Sequence, residues 1–369
     1  MSVIKESKAK KLQFSVCNND TMPDIPAFVE QTSSRGWVNY GKDNKYPEYL
    51  WGLYLRSSLL ESIINGTADY VLGDGVETHD IPERKYVNHN GETLEDIIKR
   101  LTIDYLIFDG FALQITFGAN AEVTNIFWLD FRNCRVSEDG TKVMYSKEWD
   151  KSSPKFITYN ILKDNDRTGS KVLYFKGHKT RGHYPIPRYS GALNAIETSI
   201  EIARYHLNSI HNNFNGNLVI NFNNGEPDEE TKKEIEKKLK NKFAGADNGG
   251  SFLVVFNDSK ENGVTIERLQ DDNTDKKYEM LRKDTYKEVF IAFRCQPQLF
   301  GFVIEGSLFN KEEYIDAYNL YYKTVVVPIQ NDIIRCFDRI YEKEDVISFI
   351  PFQINSENNE RTIDQRKDA

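Results

Sequence analysis

The side chains offer several places where chemistry could be looked for. His206 and His211 are five apart on one predicted helix, and a spacing of four, not five, brings two imidazoles to one face. His178 and His183 flank a basic turn that supplies no third or fourth ligand for a metal. Asp164-Asn-Asp166-Arg-Thr168-Gly169 imitates the start of a calcium loop, but the twelfth position is Phe175 where a bidentate Glu is needed, so a tight turn is expected. Asp271, Asp272 and Asp275 could evoke a two-metal nuclease, yet such a centre gathers carboxylates from separate rigid elements, and these three share one loop. A solvated turn is the expectation there, with a loop facing an internal passage as its functional variant. Lys147, Lys151 and Lys155 could touch phosphate, but Glu148 and Asp150 lie among them and nearly balance the charge.

Cys17, Cys134, Cys295 and Cys336 never form a C-x-x-C pair, which points to buried free thiols in place of a zinc knuckle or redox dithiol. Nucleotide-binding glycine loops, the H-E-x-x-H zinc motif and the G-x-S-x-G nucleophile elbow are all missing. No catalytic residue, cofactor or metal is therefore expected. The net charge of -8 opposes tight non-specific binding of nucleic acid, which depends on cations displacing counterions from phosphate. It does not oppose DNA as a neighbour, because a passage through which DNA slides works better without a grip. No run approaches the roughly 18 apolar residues of a membrane-spanning helix, and the N-terminus is too polar for a signal peptide, so synthesis in the cytoplasm is expected.

With 369 residues, 39% of them hydrophobic, the chain can build a sizeable core. Residues 1–45, interrupted by Pro23, Pro26, Gly36 and Gly41, read as an extended arm. A helix is predicted from Tyr49 to Val71, stopped by Gly73-Asp-Gly75, and another from about Glu92 to Asp109-Gly110. Between Phe111 and Phe175 the period changes to that of short strands in a mostly antiparallel module. After a stiff connector with Pro185 and Pro187 comes the clearest periodicity in the chain. Leu193, Ile196, Ile200, Ala203, Leu207, Ile210 and Phe214 recur by threes and fours along a helix of about 30 Å. A strand at 218–222, a charged surface helix at 228–243 and a strand pair at 252–256 and 264–269 follow. A polar loop, Gln270-Asp271-Asp272-Asn273-Thr274-Asp275, precedes a helix to Phe293. The last large helix covers 311–341, kinked or split by Pro328, and little beyond Asn355 is apolar, so a disordered tail is expected.

Several of these segments resemble, in order, the portal proteins of tailed bacteriophages, in their short, HK97-like variety. Tyr189-Ser-Gly-Ala-Leu193, running into the long helix to Ile200 and beyond, is similar to the family's Y-G-x-S-P-L and helix. Asn213-Phe214-Asn215-Gly216 resembles the run that ends that helix, and Asn248-Gly-Gly-Ser-Phe-Leu-Val-Val-Phe256 its N-x-G before an apolar strand. Tyr278-Glu-Met-Leu-Arg282 matches q-x-L-E-x-R, and Phe293-Arg-Cys-Gln-Pro297-Gln-Leu-Phe-Gly301 resembles F-G-V-P-P-x-L-L-G. The terminal helix with Val327-Pro328 fits as well. The resemblance covers about residues 45–345, most strongly 185–305. Ser190-Gly191-Ala192 and Arg294-Cys295-Gln296 depart from the family's hinge and corner.

The resemblance implies an α+β portal-like fold, with long stem and channel helices and small antiparallel sheets in wing and clip. The expected layout is an N-terminal arm (1–45), the first part of the wing leading into the stem (46–129) and a strand-rich segment containing the clip (130–188). A stem helix (189–216), the second part of the wing with a channel-side helix (217–345), and a C-terminal strand with tail (346–369) complete it. Leu193, Ile196, Ile200, Leu207, Ile210 and Phe214 become candidate stem-packing residues, and residues 270–275 the candidate channel-facing loop. The implied role is a structural head–tail connector in the virion, at one capsid vertex, made in the host cytoplasm. The resemblance implies a ring of about twelve copies, and a repeated contact between different faces of one chain does close into a ring when its rotation closes. Implied partners are the large terminase, head-completion or adaptor proteins, and the major capsid or scaffolding protein. Double-stranded DNA would pass without sequence-specific binding. An adaptor or scaffold of another kind, or an enzyme, are the alternative readings.

Overall fold

The computed structural model describes residues 15–16, 28–82, 84–164, 166–177, 179, 182–211, 217–222, 228–243, 252–256, 264–269, 274–302 and 310–352. In chain order the elements are β1 (Ser15–Val16), β2 (Glu30–Thr32), β3 (Val38–Tyr40), α1 (Tyr46–Arg56), α2 (Ser58–Leu72), β4 (Gly75–Thr78), α3 (Leu94–Phe108), β5 (Gly110–Phe117) and β6 (Val123–Leu129). Then come β7 (Cys134–Val136), β8 (Lys142–Tyr145), β9 (Ile157–Ile161), β10 (Gly169–Lys176), α4 (Leu193–His211), β11 (Asn217–Phe222), α5 (Glu229–Phe243) and β12 (Phe252–Phe256). The last are β13 (Val264–Leu269), α6 (Thr274–Phe293), α7 (Lys311–Tyr321), α8 (Val327–Tyr341) and β14 (Ile347–Ile350). The class is α+β. The chain divides into a smaller unit, Met1–Asp24 with Thr198–Asp284, and a larger one, Ile25–Glu197 with Thr285–Ala369.

In the larger unit, α2 and α3 turn their apolar stripes inward, burying Leu60, Ile63, Ile64 and Val71 from one and Ile97, Ile98 and Leu101 from the other. Each such side chain contributes roughly 1.5–3 kcal/mol when fully withdrawn from water. The sequence predicts one helix from Tyr49, but Ser57 takes an extended conformation and its side chain accepts from the Leu60 N–H at 3.2 Å. A hydroxyl that caps a new helix thus splits α1 from α2. α3 starts on a reciprocal cap between Thr93 and Asp96 and ends at Asp109, left-handed at φ 61°.

The predicted strands form one six-stranded sheet, in the order β6-β5-β10-β9-β8-β7. All neighbours are antiparallel except β9 and β10, which run parallel. β5, second from one edge and next to α3, buries Phe111, Leu113, Ile115 and Phe117 together with Ala112, and Phe111 stacks on Phe175 of β10 at 4.8 Å. β7, too short to show a period, is an addition to the predicted set. Residues 130–188 do not stand apart as a module, because β7–β10 share this sheet with β5 and β6.

Residues 28–45 are not a free arm. Trp37, Val38 and Tyr40 are buried, Tyr40 stacks on Tyr184 at 4.2 Å, and its hydroxyl donates to the Pro185 carbonyl at 2.7 Å. Aromatic residues here outweigh the glycines that made the segment look extended. Most of residues 1–27 lies outside the described residues, as does the predicted tail beyond Phe352. β14 pairs antiparallel with β4.

Pro328 is the second residue of α8, directly after a π turn, and removes one N–H from the helical ladder there. The predicted split does not occur: α7 passes into α8 through a π turn over Tyr322–Val326, with both junctions right-handed helical. α8 then buries Ile329, Ile333, Phe337 and Ile340.

The smaller unit holds a four-stranded sheet, β1-β12-β11-β13. Sequence alone paired β12 with β13, but β11 lies between them. It is parallel to β12 and antiparallel to β13. Parallel neighbours need a crossover, and α5 supplies it.

Candidate functional site

Both long helices are shared between the two units: α4 passes from the larger to the smaller unit at residues 197–198, and α6 returns at 284–285. In the larger unit their roots are fixed together. Tyr189, just before α4, is fully buried and stacks on Phe293, the last residue of α6, at 5.0 Å. Its hydroxyl donates to the Ile107 carbonyl of α3 at 3.0 Å. In the smaller unit Tyr205 of α4 stacks on Tyr278 of α6 at 4.4 Å.

Beside Tyr189, Arg188 ties the connector to two helices. Its Nε donates to Asp109 Oδ1 at 2.7 Å, a second guanidinium nitrogen donates to the Tyr105 hydroxyl, and that nitrogen lies 3.7 Å from Asp332 Oδ2 of α8. Tyr105 in turn donates to Asp332, which also accepts from Arg335. Burial pushes the Asp109 carboxyl upward, and the Arg188 charge opposes that rise. Gly177 fits against this site because a Cβ there would meet the Asp109 carboxylate at 1.9 Å. The arrangement pairs acids with a guanidinium and a phenol and offers no activated nucleophile. It is a clamp that holds α3, the entry to α4 and α8 together.

A second buried acid, Asp104, accepts from Trp128 Nε1 at 2.8 Å and from the Phe131 N–H at 3.2 Å. Its carboxyl is pushed well above the ordinary range, first by burial and then by the nearby Asp130. Sequence reasoning passed over Asp104 and Arg188 and read Asp109 only as the end of a helix. The available signal was a carboxylate inside the apolar stripe of α3 and another at its end.

Of the candidate stem residues, Ile196 and Ile200 are buried, Leu193 is half-buried, and Leu207 is 55% exposed. The side chains of Ile210 and Phe214 lie outside the described residues, and so do Gln270–Asn273 of the candidate loop. Thr274 and Asp275 open α6. His206 lies edge-on to Tyr278, and His183 engages Glu30 at 3.1 Å, both structural contacts. The false calcium loop is a turn whose Asp164 and Asp166 are taken by Arg339 and Lys171. Lys151 pairs with Glu148 at 2.7 Å. Cys134, Cys295 and Cys336 are buried free thiols. Among the described residues no group of three or more His, Cys, Asp or Glu gathers to hold a metal ion, and no helix is long and apolar enough to cross a membrane.

Known proteins share this architecture. A chain from the neck of an empty GTA particle, computed with C6 symmetry, superposes with a TM-score of 0.56 at 14% identity, over 86% of this chain and 87% of that one. A chain from the neck of a native GTA particle computed with C12 symmetry gives 0.55 at 13% identity, over 87% and 88%. An HK97 family phage portal protein from Corynebacterium diphtheriae gives 0.51 at 12% identity, over 77% and 87%. An uncharacterized protein of Rickettsia bellii is 23% identical over 187 residues, which span 49% of this chain and under half, 46%, of that relative. The sequence profile of the phage portal protein family matches residues 86–356. That match takes in well over half of the chain and agrees with the fold: the chain belongs to the phage portal protein family.

Proposed function

We propose that this chain is the structural subunit of a portal ring of about twelve copies, at one capsid vertex, through which double-stranded DNA is packaged and ejected. The observation that carries the reading is the pair of long helices α4 and α6, of 19 and 20 residues, joined by ring contacts in each unit. At 1.5 Å per residue each extends about 30 Å, a length suited to the wall of a rigid conduit. The similar folds in gene transfer agent necks and in an HK97 family portal protein support the same role.

In this reading α4 is a stem helix, α6, expected beside the channel, becomes its partner in the stem, and the candidate segment 270–275, whose last two residues open α6, faces the passage. The docking clip moves from residues 130–188 to the smaller unit. The support for that change is connectivity: the chain enters the smaller unit through one long helix and leaves through the other, whereas β7–β10 belong to the sheet of the larger unit. The clip would receive the large terminase during packaging and head-completion proteins afterwards, while the larger unit would meet the major capsid or scaffolding protein. With a net charge of -8 the subunit repels phosphate more than it grips it, which favours sliding DNA.

The test is complementation of a phage or prophage lacking its portal gene, scored as nuclease-protected DNA. The intact chain restores protected DNA, and a chain lacking residues 270–275 assembles but retains less. Full packaging by the deletion variant would remove the loop from the passage, and no packaging by the intact chain would reject the function.

A further inference from the structure

A cavity of about 330 Å³ opens in the larger unit beside the Arg188 clamp. Its floor is apolar and deep: Tyr321, Val325 and Ile329 are 2%, 7% and 1% exposed, and Leu106, Ala292 and Phe293 continue the walls. Its rim is cationic, formed by Lys179, Arg188 and Arg294, with Arg188 40% exposed at its side chain. Arg188 is matched by Asp109 and Asp332. Lys179 instead donates to the Pro187 carbonyl at 3.2 Å and to the Ser190 hydroxyl, and Arg294 donates to the Thr324 carbonyl at 3.4 Å. Among the described residues neither Lys179 nor Arg294 forms an ion pair. The field of Lys179 does reach Asp109, as a weaker influence than Arg188. The rim therefore carries positive charge in excess of its acids.

A π turn and the end of α6 meet at the same cavity. The π turn over Tyr322–Val326 contributes Val325 to its floor, and such turns are frequent at functional sites. Arg294, left-handed at φ 53°, ends α6, with the Cys295 N–H donating to the Phe290 carbonyl at 3.1 Å, and its guanidinium meets a carbonyl of that π turn.

We propose that this cavity binds a small amphipathic organic anion, with an apolar body on the Val325–Ile329 floor and a carboxylate, sulfonate or phosphate monoester head between Lys179 and Arg294. Its volume lies at the small end of ligand sites, and an apolar lining with a few convergent polar groups is their usual composition. The Tyr105 hydroxyl, engaged by Asp332 and Arg188, serves as wall. Such a ligand would link the end of α6 to the α7–α8 junction and stabilise the larger unit by mass action. The inference stands independently of the portal reading.

The experiment is a fluorescence titration of the full-length protein with 8-anilinonaphthalene-1-sulfonate and with uncharged N-phenyl-1-naphthylamine, which shares its aromatic body. One saturable sulfonate site per chain is expected. Combining Lys179→Gln with Arg294→Gln, both exposed, should weaken the sulfonate about fivefold, as two rim charges can, and leave the neutral amine unchanged. Ala292→Trp, which fills the cavity, should abolish both signals with the melting temperature retained. Unsaturable binding, an unchanged sulfonate affinity in the double variant, or equal losses for the two probes would overturn the proposal.

Discussion

Two substitutions on one face of α4 separate the folding of the chain from its assembly. Ile200 is 9% exposed, so Ile200→Asp removes an almost fully buried aliphatic side chain and leaves a carboxylate in its place. Lost burial is worth roughly 1.5–3 kcal/mol, and an unpaired buried acid adds to it, for a total of about 3–5 kcal/mol. Leu207 is 55% exposed, so less than half of its surface is covered within the chain, and Leu207→Asp should cost the isolated subunit about 1 kcal/mol or less. In a ring where Leu207 meets a neighbouring stem, the remaining half is covered too. Its loss is then about 1 kcal/mol per contact, multiplied over about twelve contacts to roughly 10 kcal/mol for the closed ring. Thermal melting of the subunit and sedimentation velocity at one fixed concentration measure the two effects. Ile200→Asp should melt much earlier, and Leu207→Asp should melt nearly as the parent does yet fail to form rings. If Leu207→Asp melts as early as Ile200→Asp, or assembles normally, the assignment of Leu207 to a subunit contact is refuted.

Gly73, at the end of α2 with φ 62°, is pressed against the Ile350 carbonyl, which a Cβ would meet at 2.1 Å; Gly73→Ala should cost at least about 2 kcal/mol and loosen β14 from β4, seen as a lower melting temperature and faster amide exchange in β14. Asp104 has a raised carboxyl pKa in the fold, so its contribution is complete below the ordinary value of 3.8 and is lost as pH rises toward the folded value. Asp104→Asn, whose amide oxygen can still accept from Trp128 and Phe131, should therefore gain on the parent as pH rises and lose that advantage toward pH 4, in paired melts across pH; a difference independent of pH would contradict this. Burial pushes the Cys295 and Cys336 thiols up to about 12 and that of Cys134 well above its ordinary value, so in a Cys17→Ser variant no thiol should react with Ellman's reagent at pH 8 until denaturant is added.

What the sequence disclosed depended on the range of the information. The stripe through Ile196 and Ile200, the strands flanking Phe111 and Phe175, and the helix ahead of Pro328 are local periodic patterns, and each reappears as an element within a few residues. The order of the family-like segments from Tyr189 to Gly301 identified the portal family without any contact being known. Single side chains that override a period were less legible: Ser57 cuts a helix that its neighbours would continue, and Tyr40 draws a glycine-interrupted segment into the core. Long-range pairing was not legible at all. Nothing local to Phe252 or Val264 reveals that β11 lies between them, and Arg188 meets Asp109 across 79 positions. The exposure of Leu207 is also a tertiary fact, since its place in the stripe equals that of Ile200.

The portal account turns most directly on the mass and symmetry of the purified particle. Native mass spectrometry with end-on electron microscopy should show a closed ring of about twelve chains, with an opening wide enough for a DNA duplex. A particle that stays monomeric or dimeric even when its capsid and scaffolding partners are supplied would contradict it.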